Sequence, residues 1–172
     1  MPTAECRPLA PEAHCELAIL EFVKPEPHFT PDELRSLSLQ VIRESPFPML
    51  ASVDGDEPRL RPVSPVRSDG FVIYVASMQS SAKTLELEAN PKVELCYLAP
   101  SHDQVRIAGI AETVDANDPI RQEIWDANPL LRAYLKVIDN PEFVLYRVVP
   151  RRIRFMREWA LMYHEVPLAA QG

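Results

Sequence analysis

Glycine is scarce in this chain, with 4 residues in 172, while proline reaches 18. The prolines are spread along the sequence and mark short elements joined by stiff corners, which excludes a low-complexity tail. Cysteine is also sparse: the three residues, Cys6, Cys15 and Cys96, are too few and odd in number for a disulfide framework. His14 lies between Cys6 and Cys15, but a metal site there would need a fourth ligand and tighter spacing. The four histidines show no pairing that suggests a metal or a catalytic dyad. No apolar run approaches the roughly 20 residues of a membrane-spanning helix. The N-terminus lacks a basic and then apolar signal pattern, so cytoplasm is the expected compartment. Basic residues are outnumbered 18 to 25, giving a net charge of −7, and this argues against a nucleic-acid backbone as partner.

What is present suits an ordinary globule: 47% apolar and 25% charged residues in one domain-sized chain. A chain this long hides roughly 70% of its unfolded surface. Residues 1–29 read as an N-terminal extension, with Leu17 to Val23 apolar before KPEPHF breaks the run. From residue 30 to 172 a single domain is expected. Thr30-Pro31-Asp32-Glu33 is a helix start, with a capping threonine, proline in the first turn and a glutamate able to complete a capping box. Leu34, Leu37, Val41 and Ile42 follow at helical spacing, up to Pro46.

The period then changes to two. Met49 to Val53, an Asp54-Gly55 turn and Arg59 to Val66 predict a hairpin whose second strand, holding Pro62 and Pro65, is an edge, a bulge or a ligand-facing strand. Phe71 to Ala76 is apolar on both faces and reads as a buried central strand. Ser77 to Ser81 supplies three hydroxyls, and Lys83 sits on the first turn of a short helix ending before Pro91. Such a loop can bind an anion through N–H groups, the helix dipole and the ammonium, or be a plain N-cap with a solvated lysine. Val93 to Leu98 and Gln104 to Val114 are the next strands, with Gly109 a bulge or close-approach point and Cys96 read as core packing. Residues 117–136 look helical with a break at Pro129, and Trp125 reads as core. Phe143 to Val149 and Ile153 to Arg157 close the series, the arginines 151 to 157 being read as a solvated face. The fold expected is α+β: a closed or split antiparallel barrel of six or seven strands with flanking helices, not a parallel α/β sheet.

The stretches RLRPVSPV, FVIYVASMQSSAKTLELEANPKVELCYL and QVRIAGIAETV resemble the FMN-binding split-barrel family, the superfamily of pyridoxamine 5′-phosphate oxidases and general-stress flavin proteins. The resemblance spans roughly residues 34 to 158 and is most specific from Ser81 to Val93. It implies a six-stranded antiparallel split barrel, FMN as cofactor, and a homodimer with two flavin sites across its interface. Arg61, Ser77, Ser81 and Lys83 would hold the phosphate; Val63, Ser64 and Val66 would line the flavin ring. Gln104 would bond the ring, and Trp159 could serve the partner subunit's site. The sequence departs from the family at Ala82, where many members have arginine, and at Val66, where the oxidases have lysine. The helical segment aligns Ile124, Asn128 and Arg132 with the oxidases' substrate-binding tyrosine, arginine and serine, and the C-terminal R-L-H triplet is missing. The implied function is an FMN-dependent oxidoreductase on an unidentified small molecule, not a pyridoxamine 5′-phosphate oxidase proper. The alternative is a dimeric protein that binds a flavin or another anionic ligand without turnover. No catalytic side chain, nucleic acid, membrane or metal enters either reading.

Overall fold

The structure, a computed structural model, describes residues 26–168. Most of the expected N-terminal extension, including Cys6, His14, Cys15 and the Leu17–Val23 run, lies outside the described residues. Phe29 is described and packs edge-on against Phe155, 5.7 Å between ring centres.

Thr30 opens the first helix as its sequence predicts. Its hydroxyl accepts from the Glu33 N–H at 3.3 Å, and the Glu33 carboxylate accepts from the Thr30 N–H at 2.7 Å. The Thr30 N–H, and then the Thr30 hydroxyl donating to the same carboxylate at 2.9 Å, hold the Glu33 carboxyl below its usual range. Helix α1 (Pro31–Glu44) turns Leu34, Val41 and Ile42 inward. The chain then alternates as β1 (Met49–Asp54), β2 (Glu57–Pro62), β3 (Pro65–Asp69), β4 (Val72–Met78), α2 (Ala82–Ala89), β5 (Lys92–Leu98) and β6 (Gln104–Thr113). Helices α3 (Pro119–Ala127) and α4 (Pro129–Leu135) lead to β7 (Phe143–Met156), a 3₁₀ turn at Glu158–Ala160 and β8 (Tyr163–Glu165). The 117–136 helix breaks at Pro129, as expected.

Every strand pairing is antiparallel, in the order β2-β1-β5-β6-β7-β4-β3, with β8 added to β7. Strands β2 and β3 are therefore the far edges of one sheet, yet only Val63 and Ser64 separate them in sequence. Three Cα steps reach at most about 11 Å. The sheet must curl until its edges nearly meet, and the seam is crossed by peptide rather than by a ladder. That is a split barrel within an α+β fold. Val63 is buried at the seam, its N–H donating to Pro48 O at 2.9 Å.

Three details differ from the sequence reading. The expected Arg59–Val66 strand is two strands, because Pro62 and Pro65 lack the N–H groups a continuous ladder needs. The last two expected strands are one, β7, which passes Pro150 by a shift in register opposite Ala108 and Gly109. Together with the short β8 this gives eight strands where the family resemblance implied six. At Gly109 an added Cβ would lie 2.4 Å from Val149 O, so the bulge admits no side chain.

The barrel interior holds Leu50, Ile73, Leu95, Ile107, Val148 and Phe155, each at most 1% exposed. Burial of each such side chain is worth roughly 1.5–3 kcal/mol. A second core lies under α3 and α4, where Ile124, Trp125 and Leu135 pack on Tyr74, Phe143 and Leu145. Arg121 is buried there, its guanidinium 4.1 Å from the Phe143 ring centre and donating to Phe143 O. Burial lowers its pKa. No helix among the described residues is long and apolar enough to cross a membrane.

Candidate functional site

The hydroxyl-rich loop and α2 form a polar shelf at one end of the barrel. Ser81 caps α2, its hydroxyl accepting from the Thr84 N–H at 3.4 Å. The Ser77 hydroxyl, at the end of β4, lies 2.9 Å from Ser81 Oγ and 3.0 Å from Thr84 Oγ1. Thr84 in turn donates to Met78 O at 2.8 Å. Ser80 donates through N and Oγ to one Glu142 oxygen, at 3.1 and 2.7 Å. Those two bonds keep the Glu142 carboxyl below its usual range.

One helical turn separates Lys83 from Glu86, so α2 presents both on one side. Arg61 on β2 pairs with Glu86 at 2.5 Å, and Ser52 on β1 hydrogen-bonds both of them. Glu86 is 7% exposed, so this is an ion pair largely withdrawn from water. Lys83 is half-buried, and its hydrogen bond to Ala76 O is long, 3.4 Å. Burial, then the nearby Arg61 charge, lowers its pKa, while Glu86 pulls the other way. Arg61, Lys83 and Glu86 together carry one net positive charge. A half-buried ammonium with one long hydrogen bond is a place where an anion gains.

Strand register separates a second group. Arg61 lies opposite Leu50, which points into the barrel, so Arg61 is on the inner face of β2. Leu60 lies opposite Ala51, Met49 opposite Cys96, and Leu98 opposite Gln104, all on the outer face. There Tyr163 OH donates to Gln104 Oε1 at 3.1 Å, with Arg106 and Arg154 over its ring at 5.7 and 5.1 Å. Glu94 pairs with both arginines. Met49, Leu60, Cys96, Gln104 and Tyr163 line a hollow of about 180 Å³. Cys96 is thus half-buried on the outer face, not in the interior where its alternation was read; burial pushes its thiol pKa up.

A family profile described as "Pyridoxamine 5'-phosphate oxidase" matches residues 35–157. The chain belongs to this family. A Listeria innocua structure provisionally called a pyridoxamine 5′-phosphate oxidase is similar at 28% identity and a TM-score of 0.62, over 73% of this chain and 99% of that one. A Nostoc punctiforme protein, described as pyridoxamine 5′-phosphate oxidase-related and FMN-binding, gives 17% identity and a TM-score of 0.57, over 76% and 87%. A heme-binding protein from Mycobacterium smegmatis gives 15% and 0.64, over 81% of this chain and 58% of that one. These last two speak for the fold alone. No curated protein sequence matches the chain.

Within the family frame, the residues singled out in the sequence fall into five places. Arg61, Ser77, Ser81 and Lys83 gather on the shelf around α2. Gln104 stands apart on the outer face. Val63 and Ser64 form the seam, one buried and one exposed, while Val66 packs into the second core and its carbonyl accepts from Asn128 at 3.3 Å. Trp159 lies in the 3₁₀ turn, 37% exposed. Sequence reasoning missed Glu86, Ser52, Thr84, Glu142 and Tyr163. Glu86 was detectable, being three residues after Lys83 on a helix; Ser52 on β1 and Glu142 in the turn before β7 are distant in sequence and gave no local signal.

Proposed function

We propose that the protein binds FMN at an interface between two copies of the chain and acts as an oxidoreductase on a small molecule other than a pyridoxine phosphate. The observation that carries this is Lys83, a half-buried ammonium beside Arg61 with only a 3.4 Å hydrogen bond to Ala76 O, in a chain of this family. The residues fit the phosphate end of the cofactor: Lys83 and Arg61 supply charge, and the Ser77 and Ser81 hydroxyls supply rotatable donors. Gln104, on the opposite face of the sheet, fits the ring of a cofactor held by the partner copy. When bound, the flavin supplies the electron-transfer chemistry, and the protein needs no nucleophile of its own. The chain's residues anchor the phosphate, shield the site from water and present the exposed Ser64 backbone beside the seam.

The substrate half supports a function apart from the namesake oxidation. Ile124 is 1% exposed, so it faces no substrate. Asn128 is hydrogen-bonded to Val66 O and Ile124 O, and Arg132 donates to Trp125 O at 2.8 Å. A second reading, an anion binder without turnover, draws on Glu86 neutralising Arg61 and on Glu142 holding the Ser80 N–H.

The visible spectrum of the purified protein, followed by FMN titration, tests the cofactor assignment. Parent protein should bind FMN, and Lys83→Glu should weaken binding about ten- to a hundredfold. Unchanged affinity in Lys83→Glu would overturn the anchor. Turnover of FMN-loaded protein with reduced nicotinamide then separates enzyme from binder. Pyridoxamine 5′-phosphate should not be oxidised; a rate near 1 per second or above would overturn that part.

A further inference from the structure

Most arginines among the described residues are engaged. Arg59, Arg61, Arg67, Arg106, Arg147, Arg152, Arg154 and Arg157 pair with carboxylates, and Arg121 and Arg132 donate to backbone carbonyls. Among the described residues, Arg35, Arg43 and Arg151 have neither a carboxylate nor a carbonyl partner, and two of these three, Arg35 and Arg151, line one cavity. That cavity, about 490 Å³, opens at the β3–β4 turn, where α1, β4 and β7 meet. It lies at the start of β4, whereas the Ser77 shelf lies at its end.

Its walls combine charge with apolar surface. Arg35 reaches from α1 to lie 5.2 Å above the Phe71 ring centre. Arg151 comes from the exposed stretch of β7 after Pro150, and Val72, Val149 and Leu168 complete an apolar lining. Asp69 also lines the cavity, but both its oxygens accept from Arg67 Nε, at 2.8 and 2.9 Å. Arg67, which stands outside the lining, also pairs with Glu123 and offsets only part of that charge, so Arg35 and Arg151 against Asp69 leave the lining one net positive charge. Gly70 carries a positive φ of 60°, and a Cβ there would stand 3.7 Å from Arg35 Nη2. The turn thus runs close beneath the guanidinium, with little bulk between them. The volume falls within the range of small-molecule sites, roughly 300–1,000 Å³.

We propose that this cavity is a second binding site, separate from the α2 shelf, for a small molecule with an aromatic or aliphatic body and one anionic end. The Arg35 and Arg151 guanidiniums take the carboxylate or phosphate, and Phe71, Val72, Val149 and Leu168 take the body. Two guanidiniums suit an oxyanion because each offers a planar fork of donors. The apolar wall is what distinguishes the site from a bare phosphate cleft.

Calorimetry on the full chain at low salt tests it, with phenyl phosphate, benzoate and inorganic phosphate as probes. Phenyl phosphate or benzoate should bind saturably, and inorganic phosphate should bind more weakly because it leaves the apolar wall uncovered. Arg35→Gln with Arg151→Gln should weaken the better probe about tenfold or more. Arg151→Gln alone, a change at an exposed position that leaves the core intact, should weaken it measurably. Lys83→Glu should leave this binding unchanged, which separates it from occupancy of the α2 shelf. Loss of binding in Lys83→Glu, unchanged binding in the double arginine variant, or no saturation by any probe would each overturn the proposal.

Discussion

Arg61 and Glu86 meet at 2.5 Å, one from the inner face of β2 and the other from α2, with the Ser52 hydroxyl joining both. This pair restrains the cation that the family pattern assigns to phosphate. Glu86→Gln keeps the shape and removes the charge. Arg61 is about a quarter exposed, so the loss should cost about 1–2 kcal/mol, less than for a fully buried pair. A chain of this size should then melt roughly 2–8 °C lower. FMN affinity should move the other way, rising about five- to thirtyfold as the guanidinium becomes available. Scanning calorimetry and FMN titration on one preparation check both signs. A joint fall would mean that Glu86 aims Arg61 at the phosphate.

Lys83 should leave a signature in the pH dependence of stability. Burial first and the Arg61 charge second lower its pKa in the folded protein. Between that lowered value and the ordinary one, the unfolded chain holds the extra proton, so stability rises with pH through the window. Below the window the cost of the charged ammonium is fully present. Lys83→Met should therefore be more stable than the parent at neutral pH, with the gap shrinking toward about pH 10. Urea unfolding across that range measures it; a constant gap would deny the desolvation.

Gly109→Ala should be severe for a residue with no chemistry. A Cβ 2.4 Å from Val149 O meets backbone, which cannot swing aside as a side chain can. A loss of at least about 3 kcal/mol is expected, with a lower melting temperature or insoluble protein. Normal thermal unfolding of this variant would mean that the β6–β7 bulge can reorganise.

The outer face of β2, β1 and β5 bears Leu60 at 64%, Met49 at 37% and Leu98 at 55% exposure, beside Gln104. An obligate dimer typically buries more than about 2,000 Å², and this face is the apolar surface such an interface needs. Sedimentation at low protein concentration should give a dimer, and Leu60→Arg should give a monomer with reduced FMN affinity. A monomeric parent would remove the two-copy site.

The sequence was most informative where local chemistry governs. The Thr30–Glu33 box, the Ser81 cap, the Pro129 break and the Gly109 bulge depend on neighbours or on backbone sterics, and each is visible in a short window. The α2 shelf was visible for the same reason, since Ser77, Ser81 and Lys83 lie within seven positions. What brings Ser52 and Arg61 to Glu86, or Tyr163 to Gln104, is strand order, and single-sequence periodicity carries no register between distant strands. The division of Arg61 and Gln104 between two faces follows from parity within the ladder. It could be read only once β1 was known to pair with β5.

The Val63–Ser64 link deserves to be seen as the clasp of a hoop. Seven strands of the sheet bend round between its two ends, and a pair of residues sets how far apart those ends can stand. The bore of the barrel is thus governed by chain length at one spot. Arg61 lies two positions before that clasp and Val66 two positions after it. A ligand that tugs on Arg61 therefore strains the same short tether that holds Val66 under α3. Through it, a load at the shelf reaches the second core within five residues of chain.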